Sequence, residues 1–136
     1  MKPNKVRLPG FYVARIVAFV EQAEAGEVGW CRPFGISEVD PDGTVTLEWS
    51  VFHAFVEEAK RLSGDPGIGL LIGEQLSINT HGQLGYAAIN SATIRATLQL
   101  LETFLPLRTD LLTITHEVRD GLMVLHFREP TVRRQI

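Results

Sequence analysis

The sequence predicts an α+β domain, helices packed on a small antiparallel sheet or hairpin, and three observations carry that expectation. Val51, Phe52, Phe55, Val56, Ala59 and Leu62 recur at spacings of three and four, as one face of a helix does. Near the C-terminus the pattern changes to period two on both sides of Asp120-Gly121, a strong hairpin signal. The 136 residues are 45% hydrophobic and 21% charged, a balance that supports one packed core and lies far from disordered chains.

The first element imitates an export signal. Lys2, Lys5 and Arg7 precede an apolar run from Phe11 to Val20, and Ala23-Glu24-Ala25 has the outline of a cleavage site. Arg15 inside the run, and Glu21 and Glu24 beside that site, argue against it. Tyr12, Ile16, Phe19, Val20 and Ala23 instead form one stripe of an amphipathic helix from Phe11 to Ala25, with Gly26 as a left-handed cap. The run is too short to span a bilayer, so no membrane association is expected.

Residues 29–43 are rich in turn formers and predict at most a short helix, with Trp30 and Phe34 anchoring the segment. A second helix is expected from about Leu47–Ser50 to Leu62, stopped by Ser63-Gly64. In "GDPGIGLLIGEQ", Asp65 and Pro66 read as the N-cap and first residue of a third helix. Gly67, Gly69 and Gly73 are spaced GxGxxxG after a helix, not GxGxxG after a strand, which argues against a dinucleotide loop. Small residues that let two helices approach closely explain them better.

The stretch "GQLGYAAINSATIRATLQLLETFL" predicts a short buried helix over Leu84 to Ile89 and a longer one capped by Ser91. Ile94, Leu98, Leu101 and Leu105 form one stripe; Leu100 and Phe104 widen it, so burial on two sides is expected, with Pro106 ending the helix. No strand precedes the glycines and no P-loop lysine follows, so this is not a phosphate cradle. The hairpin pairs Val118 with Met123, His116 with Leu125 and Ile114 with Phe127. Its apolar face, from Leu112 to Phe127, must rest on helices or further strands, because a lone hairpin is barely stable. The closing "TVRRQI" reads as a helix just starting, hence the expectation of a piece of a longer sensor domain.

Composition and motifs exclude several functions. A net charge of −3 provides no basic footprint for nucleic acid. The one cysteine, Cys31, leaves no internal disulfide or CxxC site and reads as a small buried hydrophobe, compatible with a cytoplasmic location. His116 and His126 fall on opposite hairpin faces, His53 has no partner one turn away, and His81 lies in a loop. No HExxH, GxSxG or paired-ligand spacing occurs, and no carboxylate pair stands out. Neither an enzyme, a metal site nor a cofactor is expected.

Three pieces in order carry a resemblance: residues 47–76, residues 81–110 and the hairpin at 111–128. Gly64, Asp65, Pro66, Gly69, Leu70 and Gly73 are followed by Gly82, Leu84, Gly85, Tyr86, Ser91, Thr93 and Leu100. This pattern resembles the N-terminal effector-sensing domain of AraC-family transcriptional regulators, of the arabinose-binding-like, ornithine-regulator kind. Asn90 and Ala92 depart from the residues common there. The resemblance implies that residues 1–136 are a bacterial sensing and dimerisation domain. A small-molecule effector and a second copy are the implied partners, with DNA reached only through a C-terminal helix-turn-helix domain outside this chain. A ligand-free dimerisation module is the alternative. The family pattern transfers no effector contacts; physical candidates are aromatic or polar residues that interrupt apolar faces, namely Trp30, Phe52, Tyr86, Asn90, Phe104 and His116.

Overall fold

A computed structural model describes residues 4–23, 26–36, 38–77 and 82–129. The chain divides into two compact units, the first up to Leu76 and the second over Ser77–Gln135.

In the first unit a strand-helix pattern occurs twice. Strand β1 (Lys5–Pro9) runs into helix α1 (Gly10–Glu21), and β2 (Thr44–Glu48) runs into α2 (Trp49–Ser63). The strands pair antiparallel, Val6 opposite Leu47 and Leu8 opposite Val45. Alternation places Val6 and Leu8 in the core, while β2 turns Val45 and Leu47 halfway inward. Val13 and Val20 of α1 and Phe52, Phe55 and Ala59 of α2 are buried there, and the two helices are in contact. A 3-10 turn at Arg32–Phe34 crosses α2, and α3 (Ile68–Gln75) contributes Ile72.

The core is aromatic at its centre. The Phe55 and Trp30 rings stack at 5.1 Å, and the Phe34 ring meets Phe55 edge-on at 5.9 Å. The Trp30 indole donates its N–H to the Val17 carbonyl at 3.3 Å, so its polar atom is satisfied inside the core. Residues 29–43 are thus anchored as the sequence predicts.

Several boundaries differ from expectation. Helix α1 stops at Glu21, and its C-cap is Gln22 in right-handed conformation, not Gly26. Gly26 instead lies against the last turn of α1, where a Cβ would come within 1.8 Å of the Val20 carbonyl oxygen. The predicted residues Glu24 and Ala25 lie outside the described ones. Helix α3 opens at Ile68 rather than Pro66: the Asp65 carboxylate accepts from the Gly67 amide at 2.7 Å, closing a local turn before the helix. Gly69 and Gly73 face open space and serve no close helix approach. Gly64, with φ of 71°, does stop α2.

The second unit comprises α4 (Gly82–Ile89), α5 (Ile94–Arg108) and the hairpin of β3 (Thr113–Arg119) and β4 (Leu122–Arg128). The hairpin register matches the expected one pair for pair, with positive φ at both Asp120 and Gly121, as a type I′ turn requires. The N-cap of α5 is Thr93, whose hydroxyl accepts from the Ala96 amide at 3.0 Å. Ser91 is no cap; its hydroxyl donates back to the Ala87 carbonyl at 3.1 Å and ends α4. Pro106 does not end α5, which runs on to Arg108. Proline removes one amide and crowds the carbonyl four residues back, but at the final turn little helix remains to be disturbed.

Burial in this unit is lower than predicted. Helix α4 buries Gly85 and Ala88, yet exposes Tyr86 and Ile89. Helix α5 packs against both α4 and β3, yet only Leu98 of its apolar residues is buried, with Leu101 and Leu105 partly so. On the hairpin, Ile114 and His116 are half-buried, while Val118, Leu125 and Phe127 remain exposed. The residues expected to start a helix after Pro130 lie outside the described ones, as does His81.

Candidate functional site

Helices α4 and α5 are joined by the short turn at Asn90–Thr93 and held together at that end. The Thr97 hydroxyl reaches both the Thr93 carbonyl, at 3.1 Å, and the Ala88 carbonyl, at 3.4 Å. At the other end the helices leave a groove of about 330 Å³. Leu100, Phe104 and Arg108 recur every fourth residue along α5, with Leu107 beside them, and line one wall. Leu84 and Ala87 of α4 form the other, with Gln83 at the rim. A volume near the lower end of the roughly 300–1,000 Å³ typical of ligand pockets suits a compact molecule.

The groove is apolar with one charge. Phe104 is 44% exposed and Leu107 70%, so a ligand would remove a large apolar surface from water. Arg108 supplies the one charged group among the lining residues. A Cβ at Gly82 would stand 3.9 Å from both terminal guanidinium nitrogens, so the Arg108 head lies beside the opening residue of α4. Gly82 takes φ of 64°, a conformation that favours glycine.

The six predicted candidates do not converge. Trp30 and Phe52 are buried in the first unit, at 8% and 6% exposure, as parts of aromatic clusters. Phe104 lines the groove of the second unit. Tyr86 projects from α4 with 72% exposure, and Asn90 donates its side-chain amide to the Tyr86 carbonyl at 2.8 Å, finishing the helix. The His116 Nδ1 meets the Glu102 carboxylate at 2.5 Å, tying β3 to α5, and the ring does not line the groove. His126 pairs with Glu117 at 3.1 Å on the opposite face. Sequence reading singled out neither Arg108 nor Gln83. The signal was present in the fourfold spacing of 100, 104 and 108, which ends an apolar row in a cation.

A second cavity, about 300 Å³, lies in the first unit between α1 and the following loop, with Val17, Glu21, Cys31 and Arg32 on its walls. The Glu21 carboxylate accepts from the Gly29 amide at 3.5 Å. Burial above all, with Glu21 nearby, pushes the Cys31 thiol above its ordinary range. It therefore stays protonated at neutral pH and packs as a hydrophobe rather than attacking as a thiolate. Among the described residues no three His, Cys, Asp or Glu side chains gather as a metal site, and no helix is long and apolar enough to cross a membrane.

Comparison with known proteins places these features in context. A family model described as the arabinose-binding domain of AraC transcription regulators, N-terminal, matches residues 30–136. An ornithine utilization regulator of Pseudomonas aeruginosa is 38% identical over 53 residues, 39% of this chain. The matched part spans 16% of that regulator's length.

Proposed function

Because the chain belongs to the N-terminal arabinose-binding domains of AraC transcription regulators, we propose that it senses a small-molecule effector in the α4–α5 groove. By this reading it acts in the bacterial cytoplasm, as part of a homodimer, and controls an attached DNA-binding domain. The observation that supports it is the groove itself: exposed apolar side chains converge there with a guanidinium and an amide, the mixture by which ligand pockets gain affinity and orientation.

Control follows from position. Helix α5 forms one wall of the groove with Leu100 and Phe104, and rests on β3 with Leu98 and the Glu102–His116 contact. A ligand that binds better to one arrangement of α4 and α5 shifts the population of that arrangement, and only that differential affinity can be passed to DNA binding.

A thermal-shift screen of the full-length regulator against sugars, amino acids including ornithine, and organic acids tests the proposal. A ligand at about 100 times its Kd adds roughly 2.7 kcal/mol, and a hit is expected to raise Tm by several degrees. Ala87 is exposed and lines the groove, so Ala87→Trp is expected to fold normally and abolish the shift. The second reading, a dimerisation module without ligand, is favoured by the uncovered Val118, Leu125 and Phe127 of the hairpin. A uniformly flat screen would decide for it.

A further inference from the structure

The geometry points to the charge class of the molecule that the groove takes: a compact carboxylic acid, its apolar body on Leu84, Leu100 and Phe104 and its carboxylate on Arg108. This rests on the reading of the groove as the effector site.

Arg108 is the feature that the fold leaves unexplained. Its Nε is buried without a hydrogen-bond partner, and no ion pair joins its guanidinium to a carboxylate among the described residues. A buried, unpaired N–H is costly, and more so on a charged group. An arginine side chain keeps its charge in proteins, so neutralisation offers no relief. The guanidinium is therefore held half-buried beside the apolar lining of the groove with its Nε unpaired.

The ligand class follows by elimination among chemistries. The planar fork of arginine presents paired N–H groups that match the two oxygens of a carboxylate. A neutral sugar needs many hydrogen-bond partners, and among the lining side chains only Gln83 and Arg108 offer any. A diamino acid would bring ammonium groups to a groove with no lining carboxylate and one fixed positive charge. An apolar acid leaves neither problem. The chain as a whole carries −3, so attraction for an anion is local to this groove. Low-dielectric walls focus such a field.

Isothermal titration of the full-length protein near neutral pH with 4-phenylbutyrate and its primary amide, two probes of one shape, tests the inference. Wild type is expected to bind the acid at least ten times more tightly than the amide. Arg108→Met is expected to remove that preference by weakening the acid at least tenfold and the amide far less, and a far-UV circular dichroism spectrum like that of wild type checks that the variant folds. Arg108→Lys, which keeps charge but loses the fork, should fall between, and Ala87→Trp should block both probes. Equal affinity of acid and amide for wild type would overturn the inference, as would an Arg108→Met preference within twofold of wild type or no binding of either probe at millimolar concentration. Acid binding that survives Ala87→Trp would place the anion elsewhere and overturn it too. A neutral or cationic screening hit that Ala87→Trp abolishes and Arg108→Met does not affect would end this inference while leaving the effector groove standing. A flat screen would end both.

Discussion

Phe55→Ala is expected to lower the unfolding free energy of the first unit by about 3–5 kcal/mol. Phe55 is 0% exposed and is held between the stacked Trp30 ring and the edge-on Phe34 ring. Truncation removes the transfer energy of the ring and both aromatic contacts, and it leaves a cavity in the core. Domains are stable by only about 5–15 kcal/mol, so one substitution would consume a large share. Urea denaturation followed by Trp fluorescence reads it directly, because Trp30 stacks on the altered site. Phe34→Ala, at a half-exposed ring, should cost distinctly less. A Phe55→Ala loss below about 1 kcal/mol would contradict an aromatic centre to this core.

Gly10→Ala is expected to be nearly as severe, although it adds a single methyl group. Gly10 begins α1 directly after β1, and its amide donates to the Gly43 carbonyl at 2.8 Å. A Cβ there would lie 2.0 Å from the Asp40 carbonyl oxygen and 3.2 Å from that of Gly43. Both obstacles are backbone, and the Asp40–Gly43 turn is fixed by the pairing of Thr44 with Pro9 immediately after it. Overpacking of this kind costs typically 1–3 kcal/mol; at roughly 4–8 °C per kcal/mol in a unit this small, Tm should fall by about 10 °C or more. Gly69→Ala is the matched control. In α3 it faces open space, where Ala gains about 0.8–1.0 kcal/mol of helix propensity over Gly, so the same substitution should stabilise. Equal effects of the two changes, measured by thermal unfolding, would refute the packing argument.

Local pattern made α2 and the hairpin legible in the sequence. The α2 stripe fixed its buried face at Phe52, Phe55 and Ala59, and Asp120-Gly121 fixed the register of every pair in β3–β4. Strands β1 and β2 were missed for the opposite reason. Each has five residues, and they pair across nearly forty positions of sequence, so neither carries a turn signal that announces its partner. Lys5 and Arg7 on the outward side of β1 read instead as the charged start of an export signal.

The groove was half legible. Leu100 and Phe104 were recognised as a second apolar face of α5, and the natural inference from such a face is burial. Periodicity says which residues share a side, not whether anything covers it. A helix ended at Pro106, as the sequence suggests, would not carry Arg108 into the row, whereas α5 runs on to Arg108. His116, Tyr86 and Asn90 attracted attention as polar interruptions, and local contacts absorb two of them: His116 meets Glu102, and Asn90 finishes α4. An interruption signals a ligand only where no internal partner satisfies it, and in this groove that residue is Arg108.

The central claim is that the effector occupies the space between α4 and α5. Methyl NMR of the full-length regulator, labelled at Ala, Leu and Val and titrated to saturation with a screening hit, tests it most directly. With the ligand in that groove, the largest shifts are expected at Leu84, Ala87, Leu100 and Leu107, with Val13 and Val20 of the first core little changed. Saturation that leaves those four resonances in place, or that moves Val17, Val28 and Val39 around the other cavity instead, would contradict it.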